Sequence, residues 1–319
     1  MQALTKDISR LTIPTPFLVG PVNCYLIRGE ALVLVDTGPK TTEAREALRR
    51  QLAENKVSAE DIDLVILTHH HPDHIGLLEE FPPKTKVHAH PKVRPWLKAE
   101  DLFFKQARLF YHDLYMTHGV PVSLIALIEK QNANYLRFAS AGNVDVELTE
   151  RSVIDGLEGW SVLETPGHAQ SHISLYREAD GVMLAGDHLI EHISSNAIIE
   201  PPYDGESTRP KTLLQYRNSL KKCRHVKTAY SGHGKEVIAP RNLIQARLAE
   251  QEKKAAQFKA LMGDQPVTCY DLCVRKYDHV VQKQPALTIS ETLGHLDLLE
   301  EQGEVCMTLE GNTIYYQRV

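Results

Sequence analysis

The stretch Thr68-His69-His70-His71-Pro72-Asp73-His74-Ile75-Gly76 places three histidines and an aspartate at the offsets H-x-H-x-D-H. Imidazole and carboxylate are ligands for zinc and similar divalent cations. The apolar run before it, Leu64-Val65-Ile66-Leu67, reads as a strand. Where a strand runs out into a loop, alternate side chains turn the same way, so His69 and His71 can converge on one point. Asp73 and His74 follow where the loop enters a helix, and can face a second point nearby. The pattern predicts one nest for two metal ions, with His70 a bystander.

The elements that must hold such a nest are legible on both sides of it. Ile8 to Ile13, Val22 to Ile27 and Ala31 to Val35 are short, β-branched and broken by Pro14, Pro16, Gly20-Pro21 and Gly29, and read as three strands. The third ends in Asp36-Thr37-Gly38, where the aspartate can cap the turn or hydrogen-bond a metal-bound histidine. Thr41 or Thr42 caps a helix to about Glu54, a short helix is expected over Ile75 to Glu80, and Lys86 to Ala89 reads as a strand. His88 and His90 alternate there and read as structural. Further strands are expected at 144–148, 152–154, 160–164, 172–176, 182–185 and 226–230. Three of these feed turns that present a side chain: Thr165-Pro166-Gly167-His168, Gly186-Asp187-His188 and Ser231-Gly232-His233-Gly234. His172, His188 and His192 read as supporting or structural residues.

Residues 92–134 change character. Trp96, Phe103, Phe104, Phe110, Tyr111 and Tyr115 crowd a helical stretch, and a second helix is expected from Pro121 to Gln131. An aromatic helical pair between two sheet halves is packed core, a wall or lid of the site, or both. A charged helix follows from Arg241 to Met262. Residues 266–319 then read as two helices and a hairpin around Gly311-Asn312, an order that resembles a winged helix. Acidic residues (Glu291, Asp297, Glu300, Glu301) dominate its second helix, which favours a packing or dimerising cap over a nucleic-acid reader. The expected organisation is therefore 1–240, a linking helix 241–265 and a small unit 266–319.

T-H-x-H-x-D-H resembles the signature of the metallo-β-lactamase superfamily of hydrolases. The resemblance implies an α/β fold, a four-layer αβ/βα sandwich with the metals at one edge. It also implies the ligand set: His69, His71 and His168 on one metal, Asp73, His74 and His233 on the other, and Asp187 between them. Asp36 is then support beneath the metals. Many β-lactamases have cysteine at the Asp187 position, and a di-iron oxidoreductase relative has Glu at the His71 position. The retained residues are similar to those of glyoxalase II and of RNase Z-type nucleases. The tail resembles the lactamase-β-like hydrolases, whose animal members include an endoribonuclease. The basic glutathione-binding tail of glyoxalase II is not evident.

Such a site implies two zinc ions per chain, iron or manganese being alternatives, and a bridging hydroxide as nucleophile at neutral pH. Asp73 is the expected catalytic residue, orienting that nucleophile and collecting its proton. The leading expectation is hydrolysis of an ester, thioester or related small-molecule bond. The second is a single-strand-specific endoribonuclease on the same site, and the third a mononuclear iron persulfide dioxygenase, which shares the motif.

Composition bounds these readings. The 319 residues are 42% hydrophobic and 24% charged, as in soluble globular chains. A net charge of -5 supplies no global field for nonspecific nucleic-acid binding, although RNA contact through a local groove and a homo-oligomer stay open. No apolar run reaches membrane-span length, and Met1 to Arg10 lacks a signal-like apolar stretch. Five scattered cysteines fit a reducing, cytoplasmic compartment, with Cys269 and Cys273 expected as a core pair.

Overall fold

The computed structural model describes residues 2–203, 205–206 and 208–319. Two sheets carry the architecture. In the first, β1 (Gln2–Ala3), β2 (Ile8–Ile13), β3 (Val22–Arg28), β4 (Leu32–Val35), β5 (Leu64–Leu67), β6 (Lys86–Ala89) and β7 (Val146–Glu147) lie in chain order. The pairs up to β3–β4 are antiparallel and those from β4–β5 onward are parallel. The second sheet runs β12-β11-β10-β9-β8, from β8 (Trp160–Glu164), β9 (Ile173–Arg177), β10 (Val182–Gly186), β11 (Thr228–Ser231) and β12 (Val237–Ile238). β10 and β11 are its parallel pair.

Alternation along the strands sorts side chains into layers. Leu64 and Ile66 of β5 join Tyr25, Ile27, Val33 and Val35 in the space between the sheets. There they meet Val162, Ile173, Leu175, Val182 and Leu184 of the second sheet. Their neighbours Val65 and Leu67 point the other way, onto Ala44, Ala47, Leu48 and Leu52 of α1 (Thr42–Glu54). The Thr41 hydroxyl caps that helix, accepting from Ala44 N at 3.1 Å. On the far face, Met183, Ala185 and Ala229 pack against Leu213, Tyr216 and Leu220 of a later helix. The result is helix, sheet, sheet, helix, the expected four-layer order. Each fully buried Leu or Ile at these positions contributes about 1.5–3 kcal/mol.

Four short or inserted helices come before the second sheet. They are α2 (Pro72–Ile75), α3 (Arg94–Leu97), α4 (Asp101–Thr117) and α5 (Val122–Leu136). After it come α6 (Thr212–Lys222), α7 (Arg241–Leu261), α8 (Cys269–Tyr277), α9 (Pro285–Glu301) and the hairpin β13 (Val305–Glu310)–β14 (Thr313–Arg318). Leu114 and Ile128 of the insertion, Phe258, Cys269, Cys273, Leu293 and Tyr316 all belong to the apolar cluster on the second sheet's outer face. Twelve residues of α9 are buried, among them Asp297, which accepts two bonds from Arg209 at 2.7 and 2.5 Å. No helix among the described residues is long and apolar enough to cross a membrane.

Several expected elements differ: the strand expected at 144–148 is only Val146–Glu147, and the helix expected to end at Gln131 runs to Leu136. The helix expected over Ile75 to Glu80 is instead α2, ending at Ile75, and a separate 3-10 turn at Leu78–Glu80. The strand expected at 152–154 is a single bridge between Val153 and Ser161.

Candidate metal centre

The carboxyl ends of β4, β5, β10 and β11 open on the same edge, where loops can present side chains free of the ladder. Asp36 follows β4 with φ of 61°, a left-handed turn that aspartate tolerates better than most residues. Its carboxylate accepts from Thr68 N and the Thr68 hydroxyl, each at 2.8 Å, and lies 2.7 Å from His74 Nδ1. The start of the metal loop and its last histidine are thus fixed by one buried side chain, as its expected supporting role requires.

Among the described residues four groups of ligand-type atoms result: the two expected ones, a third of His69, His74 and Asp187, and a fourth of His70, His71 and Glu200. His69 Nε2 and His168 Nε2 lie 3.0 and 2.9 Å from His71 Nδ1, so three imidazole nitrogens converge. Asp73, His74 and His233 form the second group, with His233 Nε2 3.3 Å from Asp73 Oδ2. Asp187 stands between them. Its Oδ1 is 3.4 Å from His74 Nε2, and its Oδ2 is 3.6 Å from His168 Nε2 and 3.5 Å from His233 Nε2. All seven residues expected from the sequence are buried and meet here.

The outer nitrogens of four imidazoles are committed elsewhere. His69 Nδ1 meets the Thr68 hydroxyl, His74 Nδ1 meets Asp36, His168 Nδ1 meets Asn196 O and the Ser195 hydroxyl, and His233 Nδ1 meets Pro21 O. Such bonds fix ring orientation and leave Nε2 facing inward with its lone pair. Position 232 must be glycine for the same reason. A Cβ there would stand 2.2 Å from Asp187 Oδ1.

A cation suits this donor set. His74 Nε2, His233 Nε2 and Asp187 Oδ1 are buried without a hydrogen-bond partner, and each orphaned group costs about 1–3 kcal/mol. A divalent ion between them satisfies all three. Burial, with neighbouring imidazoles adding to it, holds His69 and His71 well below the usual histidine range, so they are neutral, ligand-competent bases. Burial disfavours charge at Asp187 too, but His233 and His74 outweigh it and keep the carboxyl well below its usual range. His74 behaves oppositely: burial is overcome by Asp36, Asp187 and Asp73, which raise it well above its usual value.

The remaining histidines take other work. His172 accepts from Asp187 N at 3.1 Å and meets the Thr165 hydroxyl at 2.8 Å, so it braces the bridging aspartate's turn. His188 is buried against Tyr216. His90 accepts from Lys92 N at 3.1 Å, and neither it nor His88 belongs to a metal-capable group. His70 stacks on Trp96 with centroids 4.0 Å apart and bonds the Ser171 hydroxyl at 2.8 Å.

Sequence reasoning missed two neighbours. Glu200 is buried with Oε1 3.7 Å from His70 Nε2. Tyr135 brings its hydroxyl to 3.4 Å from Asp73 Oδ1. Neither has a local motif, because both arrive from segments that only the tertiary fold brings near.

A family model described as the Metallo-beta-lactamase superfamily matches residues 18–233. The chain is 38% identical over 315 residues to a probable metallo-hydrolase, YqjP, of Bacillus subtilis, covering 98% of each chain. It is 23% identical to a beta-lactamase-like protein 2 homolog of Drosophila melanogaster, covering 98% of this chain and 97% of that one. Among solved structures it is similar to the metallo-beta-lactamase family protein TTHA1429 of Thermus thermophilus. That likeness has a TM-score of 0.82 and 28% identity, over 99% of this chain and 100% of the other. With its His/Asp cluster able to hold a divalent metal, this chain belongs to the metallo-beta-lactamase superfamily and is a metal-dependent hydrolase.

Proposed function

We propose that the chain is a dinuclear zinc hydrolase that cleaves esters, thioesters or related bonds of small molecules. The observation that carries the reading is the stance of Asp187, with one oxygen toward His74 and the other toward His168 and His233. A carboxylate so placed belongs to both groups of nitrogens at once, and a second cation balances the paired charges of Asp73 and Asp187. Two zinc ions held there supply Lewis acidity and bring the pKa of bound water near neutrality.

The chain's own residues do the rest. Asp73 directs Oδ2 toward His233 and leaves Oδ1 toward Tyr135, so it can hold a water and take its proton as the oxygen attacks the acyl carbon. The leaving thiolate or alkoxide departs with the carbonyl's electron pair restored. The Tyr135 ring stands 6.3 Å from that of His71, an apolar surface beside the donors.

The test is thiol release from a panel of acyl thioesters by zinc-reconstituted protein, with Asp73→Asn as the blank and metal counted per chain. Saturable turnover lost in the variant, with about two zinc ions per chain, supports the reading. Silence across the panel moves the substrate class to phosphodiesters, and labelled single-stranded RNA is then the next assay. About one iron per chain argues for oxygen chemistry instead.

A further inference from the structure

Helix α5 ends at the metal centre. Tyr135, in its last turn, puts its hydroxyl 3.4 Å from Asp73 Oδ1 and its ring 6.3 Å from that of His71. The ring is held from behind by Phe17, 4.9 Å away, which in turn meets Phe138 edge-on at 5.3 Å. The segment after the helix is locked to the metal loop. Lys40 N donates to Phe138 O at 2.8 Å and the Ser140 hydroxyl donates to Gly76 O at 2.5 Å. Gly76 is what permits this approach. A Cβ there would stand 2.3 Å from both Phe138 O and Lys40 N. The glycine that closes the histidine motif therefore fixes the distance between that motif and Tyr135.

Several other donors around the centre are committed elsewhere. The outer nitrogens of His69, His74, His168 and His233 have their partners, and Lys92 Nζ is held by Gln170 at 3.1 Å and Glu206 at 2.7 Å. The Tyr135 hydroxyl is different. At 3.4 Å its contact with Asp73 is longer than an ordinary O–H···O bond of about 2.5–3.0 Å, so the proton is weakly held there and open to a better-placed acceptor near the ring plane. A small turn takes it from Asp73 Oδ1 to an oxygen of a substrate seated against that carboxylate.

We infer that Tyr135 is a catalytic residue that donates a hydrogen bond to the substrate's carbonyl oxygen as that oxygen becomes an oxyanion. The inference rests on the hydrolase reading above. As water's oxygen bonds to the acyl carbon, its proton passes to Asp73 and the carbonyl π pair moves onto oxygen, where the phenol O–H meets it without giving up its proton. Re-formation of the carbonyl expels the thiolate or alkoxide. The inserted helix is then a wall of the active site, and substrates with a carbonyl or equivalent oxyanion-forming oxygen are the class it serves.

The experiment compares Tyr135→Phe with the wild type, both zinc-loaded. A lost oxyanion donor lowers kcat by about 100-fold with KM changed by less than about threefold, while zinc stoichiometry and affinity stay at wild-type values. Unchanged kcat overturns the inference, and so does a fall in zinc affinity parallel to kcat, which makes Tyr135 a positioning residue for Asp73. Calorimetric binding of inorganic phosphate, whose tetrahedral oxygens resemble the oxyanion, needs no turnover. Binding about tenfold weaker in the variant supports the inference, and equal binding overturns it. Wild-type protein inert on every ester and thioester sinks the ester and thioester reading above, and the phosphate arm still decides whether Tyr135 meets a substrate oxygen.

Discussion

Asp36 Oδ2 accepts the Thr68 hydroxyl at 2.8 Å and lies 2.7 Å from His74 Nδ1, so a single carboxylate oxygen spans both ends of the metal loop. Asp36→Asn keeps the shape and tolerates the same left-handed backbone, but it can turn an N–H toward Thr68 or His74. Outer-ligand changes of this kind lower metal affinity by about 10–100-fold. The expected result is a folded variant, by circular dichroism, with zinc affinity reduced by that factor in a chelator competition. Wild-type affinity would show that His74 is oriented by packing alone.

Gly232→Ala places a methyl group 2.2 Å from Asp187 Oδ1, well inside contact distance. The carboxylate must swing away from His74, so metal content per chain is expected to fall while the apolar clusters stay intact. Metal analysis after gel filtration checks this, and full occupancy in a folded variant would show that the bridging position tolerates displacement.

The metal-free protein is expected to weaken as pH falls below about 6.5. Burial pushes His188 down to about 3, burial and the His168 imidazole push His70 to about 3, and burial with Arg209 pushes His118 to about 4. Their ordinary value is 6.5, so the unfolded chain takes up protons that the fold refuses. Their stabilisation is present above 6.5 and lost as pH drops toward the folded values, at about 1.4 kcal/mol per pH unit for each. Glu200, raised by burial to about 7 from 4.5, acts with opposite sign and offsets one of them over that interval. His74, raised well above 6.5, is protonated in both states below that value and adds no slope there. Urea unfolding of chelated protein at pH 7 and pH 5 measures the difference, and equal free energies would contradict it.

Arg209 and Asp297 tie the segment before α6 to α9 through two parallel bonds, with the aspartate buried. Removing one partner leaves a charge without its complement. Arg209→Ala is expected to cost about 3–5 kcal/mol in urea unfolding. An Arg209→Met, Asp297→Leu pair should recover most of that loss, and a double variant as weak as the single one would place the cost in packing rather than charge.

Three strands were legible to the residue: Ile8–Ile13, Leu64–Leu67 and Lys86–Ala89 run as expected. The seven ligand-type residues were named from the histidine motif and its resemblance to the superfamily pattern, four of them in the one stretch after β5 and three in turns that follow strands of the second sheet. Other features depended on partners distant in sequence. Helix α9 starts at Pro285, and twelve of its residues are buried, so burial on several sides rather than one apolar stripe sustains it. Asp297 counted only as one of the acidic residues of that helix, and its pairing with Arg209 inside the fold depends on a residue 88 positions away. Tyr135 carries no spacing signal. An aromatic residue on a helix looks alike whether it faces a core or a carboxylate.

The metal-capable residues come from both sheets: His69, His71, Asp73 and His74 follow β5, and His168, Asp187 and His233 follow strands of the second sheet. Each sheet can pair its own strands, but neither alone can assemble a complete group of donors. Tyr25 of β3 adds a direct clasp, its hydroxyl donating to Ser231 O at 2.6 Å. Capture of an ion is therefore coupled to docking of the two halves, and it closes loops that would be costly to close in an open chain. A full metal count is thus expected only where the two halves have docked, and the reactive centre is lost wherever they separate.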